Sequence, residues 1–515
     1  MKKQSFLIGA LILTVGGIFA KLVGAFYKIP LTNILGSNGM GLYYLVFPLY
    51  SLVLVLISSG TSLAVVRFVS IEKQNNNIYN QKLIFKVALI YVFVLSLIFG
   101  ALFVALKTPL SYWQGNVNAS FSYVAIAPSI LFASIISIIR GYFQGQQNMY
   151  PTLINNIIEQ IIKLCSGLVL ANIFIKKGVT MAVFGAVLGV TISEFVALIF
   201  IIINYLIYKQ KYVYKITESK SKNFTFKQAL IKIIKYSYPT TLSALISPIT
   251  AFLDSFLIIN ILINSGFSSL QATNLYGISN GIVNTLISLP VVICSAISTS
   301  IVPNLSGIYA KNSSKEVENK VSFFIKITWL IALPCFIIFL IFSPDIITML
   351  YKNGLSDIVI NEYDFAYKLL MISSVSILYY AFLQTCVSIL QSINKPLTPF
   401  VALIIALIIR TIIMFVFVSN PNFNIFGVAI CNIAYLSVAI FICVVEIKKH
   451  INLHYNFYKF AIAPIFATFV TGVLTYFLRI MLISWLNVWL RTAICCIVAG
   501  LLYLLLIFMF KCFTK

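Results

Sequence analysis

The chain has 515 residues, of which 61% are hydrophobic and only 9% charged, and its formal net charge is +24. Soluble domains carry about 25% charged residues, so this composition excludes a soluble globular domain, and long continuous apolar runs exclude the alternating pattern of a β-barrel. No basic folded domain exists to turn the positive charge into a nucleic-acid interface; it acts instead on topology and on anionic lipid headgroups.

A spanning helix needs roughly 20 apolar residues, and the runs give about fourteen. Their spans are 5–29, 42–70, 83–106, 121–145, 150–174, 180–208, 236–263, 274–305, 321–343, 366–391, 397–418, 424–447, 458–480 and 486–510. The fold class is therefore all-α and polytopic. The first run follows Lys2 and Lys3 and continues through Lys21 to Ile29 without an A-x-A-like cleavage site, so it reads as a spanning helix and not a secretory leader. Lysine and arginine concentrate in loops 71–82, 209–235, 306–320 and 448–459, which places these loops and both termini in the cytoplasm. Segment 209–235 alone holds eight lysines against Glu218, whereas the expected outer loop 344–365 holds Asp345, Asp357, Glu362 and Lys352.

The basic segment also divides the chain. Residues 1–208 form an N-lobe of helices 1–6, 209–235 a linker, 236–447 a C-lobe of helices 7–12, and 448–515 two additional helices. The halves resemble each other: "GLYYLVFPLYSLVLVLISSGTSLAVV" (41–66) matches "NLYGISNGIVNTLISLPVVICSAISTSIV" (274–302), and "QGQQNMYPTLINNIIEQIIKL" (144–164) matches "QSINKPLTPFVALIIALIIRT" (391–411). Gln144 aligns with Gln391 and Lys163 with Arg410. Repeated six-helix halves are the usual construction of secondary transporters, with the substrate site between the repeats.

A charge at the bilayer centre costs about 2.5–3.5 kcal/mol and so faces a bundle interior or a wet cavity. The intramembrane charges here are Lys21, Glu159, Lys163, Glu194, Asp254 and Arg410. Lys163 lies thirteen residues into its helix, about 20 Å from the inner surface at 1.5 Å per residue, and Arg410 and Lys21 lie at similar depth. Three cations at that level suit an anionic substrate such as a lipid diphosphate. Asn156, Glu159 and Lys163 recur at helical spacing and make a polar stripe. Glu159 and Lys163 could instead neutralise each other at i, i+4, and Arg410 could pair with Glu194 or Asp254. The carboxylates Asp254, Glu194 and Glu159 would either bind a coupling cation, H+ or Na+, or balance charge. Arg67 and Arg140, near the cytoplasmic ends of their helices, read as snorkelling boundary residues.

No G-x-x-x-x-G-K-[ST], G-x-S-x-G or H-E-x-x-H occurs, and no outer loop is large enough for a glycosyltransferase domain, so a transporter without cofactor or nucleotide is expected rather than an enzyme. The cysteines are scattered through apolar runs and read as small hydrophobes. His450 and His454, at i, i+4 in a basic loop, read as surface residues and not a metal site.

The segment "RGYFQGQQNMYPT...IIEQIIKL" (140–164) and the start "GALILTVGGIFAKLVGAFYKIPLTNILGSNGMGLYYLVFPLYSL" (9–52) resemble the stage V sporulation protein B family. That family is a branch of the multidrug/oligosaccharidyl-lipid/polysaccharide (MOP) exporter superfamily, which also includes MurJ-type lipid II flippases. The resemblance implies two lobes forming a V around a central cavity, alternating access, and export of a lipid-linked cell-wall precursor at the bacterial plasma membrane. "AKLVGAFYK" (20–28) looks like the first-helix motif of MurJ-type flippases, in which a basic residue three before Gly lines the cavity. Lys21 takes that place before Gly24, and Lys28 takes the second basic position. The second helix departs from the pattern: "PLYSLVLVLISSG" (48–60) has no basic residue, and Arg67 lies further on. A polysaccharide repeat-unit flippase shares nearly all these features. A cation-coupled drug antiporter would need an acidic site, which Asp254 or Glu159 could supply.

Overall fold

The computed structural model describes residues 6–212, 224–309, 314–355, 361–451 and 462–510. Seventeen α-helices follow in order: α1 (Phe6–Leu54), α2 (Gly60–Gln74), α3 (Ile78–Ala105), α4 (Lys107–Trp113), α5 (Ser120–Gly145), α6 (Tyr150–Phe174), α7 (Val179–Tyr212), α8 (Phe226–Ala244), α9 (Ile246–Asn264), α10 (Ser269–Gly277), α11 (Asn284–Tyr309), α12 (Ser314–Tyr351), α13 (Glu362–Ser392), α14 (Leu397–Phe417), α15 (Phe426–His450), α16 (Ala463–Leu482) and α17 (Val488–Met509). Thirteen helical stretches among the described residues are long and apolar enough to span a bilayer. The first, Gly16–Gln74, has 59 residues, about 89 Å of helix against a core of about 30 Å. Gly36, at φ 70°, breaks it. A side chain would be strained at that φ, so the glycine turns one long helix into two crossings and brings the count to the expected fourteen.

The chain forms two compact units, Met1–Asn260 and Ile261–Lys515. The internal repeat is visible in their backbones. Each unit carries a π-helical segment, Val55–Ser59 and Ile278–Val283. The α5–α6 and α13–α14 turns place Gln147 (φ 54°) and Asn394 (φ 61°) in the left-handed region. Each stands three residues beyond the aligned Gln144 and Gln391.

Several expected loops are shorter than the charges suggested. Of segment 209–235, Lys209 and Lys211 ride on the end of α7, while Lys227, Lys232 and Lys235 ride on α8. Lys215, Lys220 and Lys222 lie outside the described residues, as does His454. Helix α8 starts ten residues before the expected 236 because Thr225 and Gln228 form a reciprocal capping box, a signal obscured by the lysines that follow it. It packs on α2 and α3. Segment 344–365 is also mostly helix. Asp345 is buried inside α12, where Arg479 of α16 and Arg491 of α17 both hold its carboxylate, the latter at 2.6 Å. Glu362 is buried at the start of α13 and accepts from Asn274 Nδ2 at 2.8 Å. These acids are interior partners, not loop charges; Asp357 lies outside the described residues.

Helix α14 illustrates how the chain suits a bilayer. Ala402, Ala406, Arg410 and Met414 are buried at four-residue spacing, while Val401, Ile404, Ile408 and Ile412 are exposed. The polar and small face turns inward and the large apolar face outward, the reverse of a soluble helix. Helices α16 and α17 expose Phe469, Phe477, Trp489 and Leu501 in the same way.

Candidate functional site

Helices α6 and α7 make the most extensive helix pairing among the described residues, and glycines permit it. A Cβ on Gly189 would fall 2.5 Å from the Gly167 nitrogen, and one on Gly185 would fall 2.8 Å from the Leu170 carbonyl oxygen. Small residues let the two backbones close. That closeness sets Glu194 of α7 beside Glu159 and Lys163 of α6, with α5 and α1 completing the wall. Together they enclose a cavity of about 390 Å³ within unit Met1–Asn260, lined by Phe47, Tyr50, Arg140, Glu159, Lys163 and Glu194 among others.

Arg140 does not snorkel to a boundary. Its Nη2 binds Glu159 Oε2 at 2.7 Å and its Nε donates to Asn155 Oδ1 at 2.8 Å. Asn155 Nδ2 in turn donates to the Ala197 carbonyl at 2.6 Å, which ties α5, α6 and α7 together. The stripe that meets Arg140 is thus Asn155 and Glu159; Asn156 is the half-buried neighbour. Glu159 is taken by Arg140 and not by Lys163, because the arginine fork reaches both Asn155 and Glu159 at once.

Lys163 is held differently. Its Nζ stands 5.9 Å from the Tyr27 ring centroid and 5.6 Å from that of Phe47, a cation–π setting. Among the described residues no carboxylate lies within 4.0 Å of it; the charges within its electrostatic reach are Glu159, Lys28 and Glu194. Lys28 sits over the Tyr44 ring at 5.2 Å. Lys21, two turns earlier on α1, is exposed. Glu194 is buried and also lacks an ion-pair partner among the described residues. Tyr50 donates to its Oε1 at 2.5 Å, and Ser129 donates to its Oε2.

The remaining predicted residues lie elsewhere. Arg410 is only 1% exposed inside unit Ile261–Lys515. Its Nε and Nη2 both donate to Asn432 Oδ1 of α15, at 3.1 and 2.8 Å. Asp254 is half-buried on α9, next to Ser255, whose hydroxyl accepts from Gln114 at 3.1 Å. Arg67 stacks on the Tyr236 ring of α8 at 4.7 Å. Sequence reasoning missed Tyr27, Phe47, Tyr50 and Ser129. The aromatic run Tyr43, Phe47, Tyr50 was the available signal, four and then three residues apart on one helix. It also missed the Asp345–Arg479–Arg491 cluster, whose arginines stand at the ends of α16 and α17. No group of three or more potential metal ligands occurs among the described residues.

An all-helical, repeated fold with a charged, aromatic-lined interior cavity is that of a polytopic membrane transporter of the MOP exporter superfamily. The chain belongs to the polysaccharide biosynthesis protein family, whose model matches residues 6–309, more than half its length; the MatE family model matches residues 239–416. Stage V sporulation protein B of Bacillus subtilis (strain 168) is 26% identical over 432 residues, covering 84% of this chain and 81% of that protein. Lipid II flippase MurJ of the same organism is 23% identical over 425 residues, covering 80% and 77%. Among solved structures, a lipid II flippase MurJ in an inward closed conformation superposes with a TM-score of 0.71 over 96% of this chain and 98% of that one, at 16% identity. An inward-facing multidrug resistance MATE family transporter gives 0.66 over 86% and 98%, also at 16%. The family resemblance read from residues 9–52 and 140–164 is borne out.

Proposed function

We propose that the chain moves an undecaprenyl-diphosphate-linked cell-wall precursor, lipid II in the first instance, from the inner to the outer leaflet by alternating access. The observation that carries this reading is Lys163, a half-buried ammonium beside two aromatic rings with no carboxylate at ion-pair distance among the described residues. Such a group favours an anion, and the diphosphate supplies one. The ring of Phe47, in the cavity wall, offers an apolar face to a sugar. Lys28 and Lys21 extend the basic character along α1, and Arg410 supplies a buried cation to the other unit. The two carboxylates are already engaged, Glu159 by Arg140 and Glu194 by two hydroxyls, which disfavours a cationic drug. A polysaccharide repeat unit on the same diphosphate is the second reading, favoured by the family match over residues 6–309. The lysine-rich loops support a cytoplasmic location for both termini.

The test is complementation of a bacterium depleted of its own lipid II flippase, with surface exposure of lipid II as readout. The wild-type chain restores exposure; Lys163→Ala, inserted to the same level, lowers it at least about tenfold, the loss of about 1.4 kcal/mol or more of headgroup binding; Lys163→Arg retains most of it. No exposure from a correctly inserted wild-type chain rejects lipid II as substrate. Unchanged exposure from Lys163→Ala rejects the role of Lys163.

A further inference from the structure

The cavity holds two bases, Arg140 and Lys163, and two acids, Glu159 and Glu194. With all four ionised it has no net charge, and an anionic headgroup would compete with Glu194 for Lys163. We infer that Glu194 is a proton-binding site whose proton accompanies the anionic headgroup into the cavity; this rests on the substrate class proposed above.

The geometry around Glu194 carries the inference. Tyr50 Oη, Ser129 Oγ and the Glu194 carboxylate form a closed triangle of hydrogen bonds. Tyr50 meets Glu194 Oε1 at 2.5 Å, Ser129 meets Oε2, and the two hydroxyl oxygens are 2.8 Å apart. A triangle has three edges and each needs one hydrogen. Each hydroxyl supplies one. If both are spent on the carboxylate, the Tyr50–Ser129 edge has none, and two lone pairs face each other in a buried site. A proton on Glu194 Oε2 completes the ring: the acid donates to Ser129, Ser129 donates to Tyr50, and Tyr50 donates to Oε1. The contrast with Glu159 is direct, since that carboxylate has a guanidinium at 2.7 Å.

The titratable and charged groups facing Glu194 come from every helix packed on α7. They are Tyr50 from α1, Arg140 from α5 beside the neutral Ser129, and Glu159 and Lys163 from α6. Of the acids only Glu194 lacks a cation at ion-pair distance among the described residues, so it is the group whose protonation changes the cavity from neutral to net positive. Linkage is reciprocal: a proton that favours the headgroup is itself held more firmly when the headgroup is bound.

The experiment uses the full-length protein in lipid nanodiscs and a water-soluble short-chain polyprenyl diphosphate bearing one N-acetylhexosamine, a diester whose charge stays constant over the range tested. Its affinity is measured from about pH 5 to about pH 9, and in parallel the protein alone is examined by infrared difference spectroscopy for a protonated-carboxyl carbonyl band. Wild type is expected to show that band, and its Kd to rise about tenfold per pH unit once the band titrates away. Glu194→Gln reproduces the complete ring, with its amide donating to Ser129, so it lacks the band and its Kd is flat with pH. Glu194→Asp keeps a pH dependence at a shifted midpoint. Absence of the band in wild type, its persistence in Glu194→Gln, or a Kd in wild type that ignores pH overturns the inference. A band that titrates normally with no binding of the probe at any pH upholds the proton site, overturns its link to the headgroup, and rejects the proposed substrate class.

Discussion

Removing Arg140 tests whether the cavity depends on paired charge. At 2.7 Å and an effective dielectric of about 20, the Arg140–Glu159 attraction is about 6 kcal/mol gross. Desolvation offsets most of it. Side chains that are 20% and 21% exposed retain some water, which lowers the cost of losing a partner below the 3–5 kcal/mol of a fully buried pair, to about 2 kcal/mol. Arg140→Gln leaves Glu159 without its cation and weakens the bridge to Asn155; Glu159→Gln leaves Arg140 without its anion. Each single change is expected to cost about 2 kcal/mol, and the double change, which restores neutrality, clearly less than the sum, with a coupling of about 1.5 kcal/mol. Equilibrium unfolding of the purified protein in mild detergent, read by steric trapping or by denaturant titration, measures all four corners of the cycle. Additivity within about 0.5 kcal/mol would refute the claim that the pair acts as a unit.

Gly189→Val forces its side chain onto the Gly167 backbone, and overpacking of this kind costs about 1–3 kcal/mol; it should lower the unfolding midpoint and loosen the α6–α7 contact, read by cysteine cross-linking between them, whereas Gly500→Ala, with open space around it, should change neither. Asp345→Asn leaves Arg479 and Arg491 sharing a neutral amide; a loss of about 3 kcal/mol is expected, with faster hydrogen exchange in α16 and α17 and none of note in unit Met1–Asn260, and equal exchange in variant and wild type would count against the cluster. Asn432→Ala removes the acceptor shared by two nitrogens of Arg410, for an expected cost of about 1.5–3 kcal/mol in thermal unfolding; a neutral result would mean that Arg410 is satisfied without it.

Membrane crossings were legible in the sequence because a continuous apolar run has few alternatives to a spanning helix. The span 150–174 coincides with Tyr150–Phe174, set off by the turn at Gln147 and by Pro151 at the helix start. Charge-rich stretches were legible only as charge. Lys227, Lys232 and Lys235 suggested a loop and stand on a capped helix, and Asp345 and Glu362 suggested an outer loop and are buried. The difference lies in partners: Asp345 is tolerated inside because two arginines more than a hundred residues away reach it, and no local pattern encodes that. The same holds for the cavity. Glu159, Lys163 and Glu194 stood out by depth while Arg140 read as a boundary residue, and which acid met which base depended on the approach of α5, α6 and α7, fixed by glycines that carry no charge signal.

The whole-chain charge of +24 therefore says little about the cavity. The surplus of lysine lies outside its lining, in which Arg140 and Lys163 are matched in number by Glu159 and Glu194. A cavity built in this way gains affinity for an anion by neutralising one acid rather than by adding a base. That arrangement has a physical advantage in a bilayer. A permanently cationic cavity would bear the desolvation cost of its excess charge whenever it stood empty, and would hold a diphosphate firmly on both sides of the membrane. On the proposed reading, a cavity that is neutral with Glu194 ionised and cationic with Glu194 protonated would bind the headgroup on one side and release it on the other, with one proton as the difference between the two states.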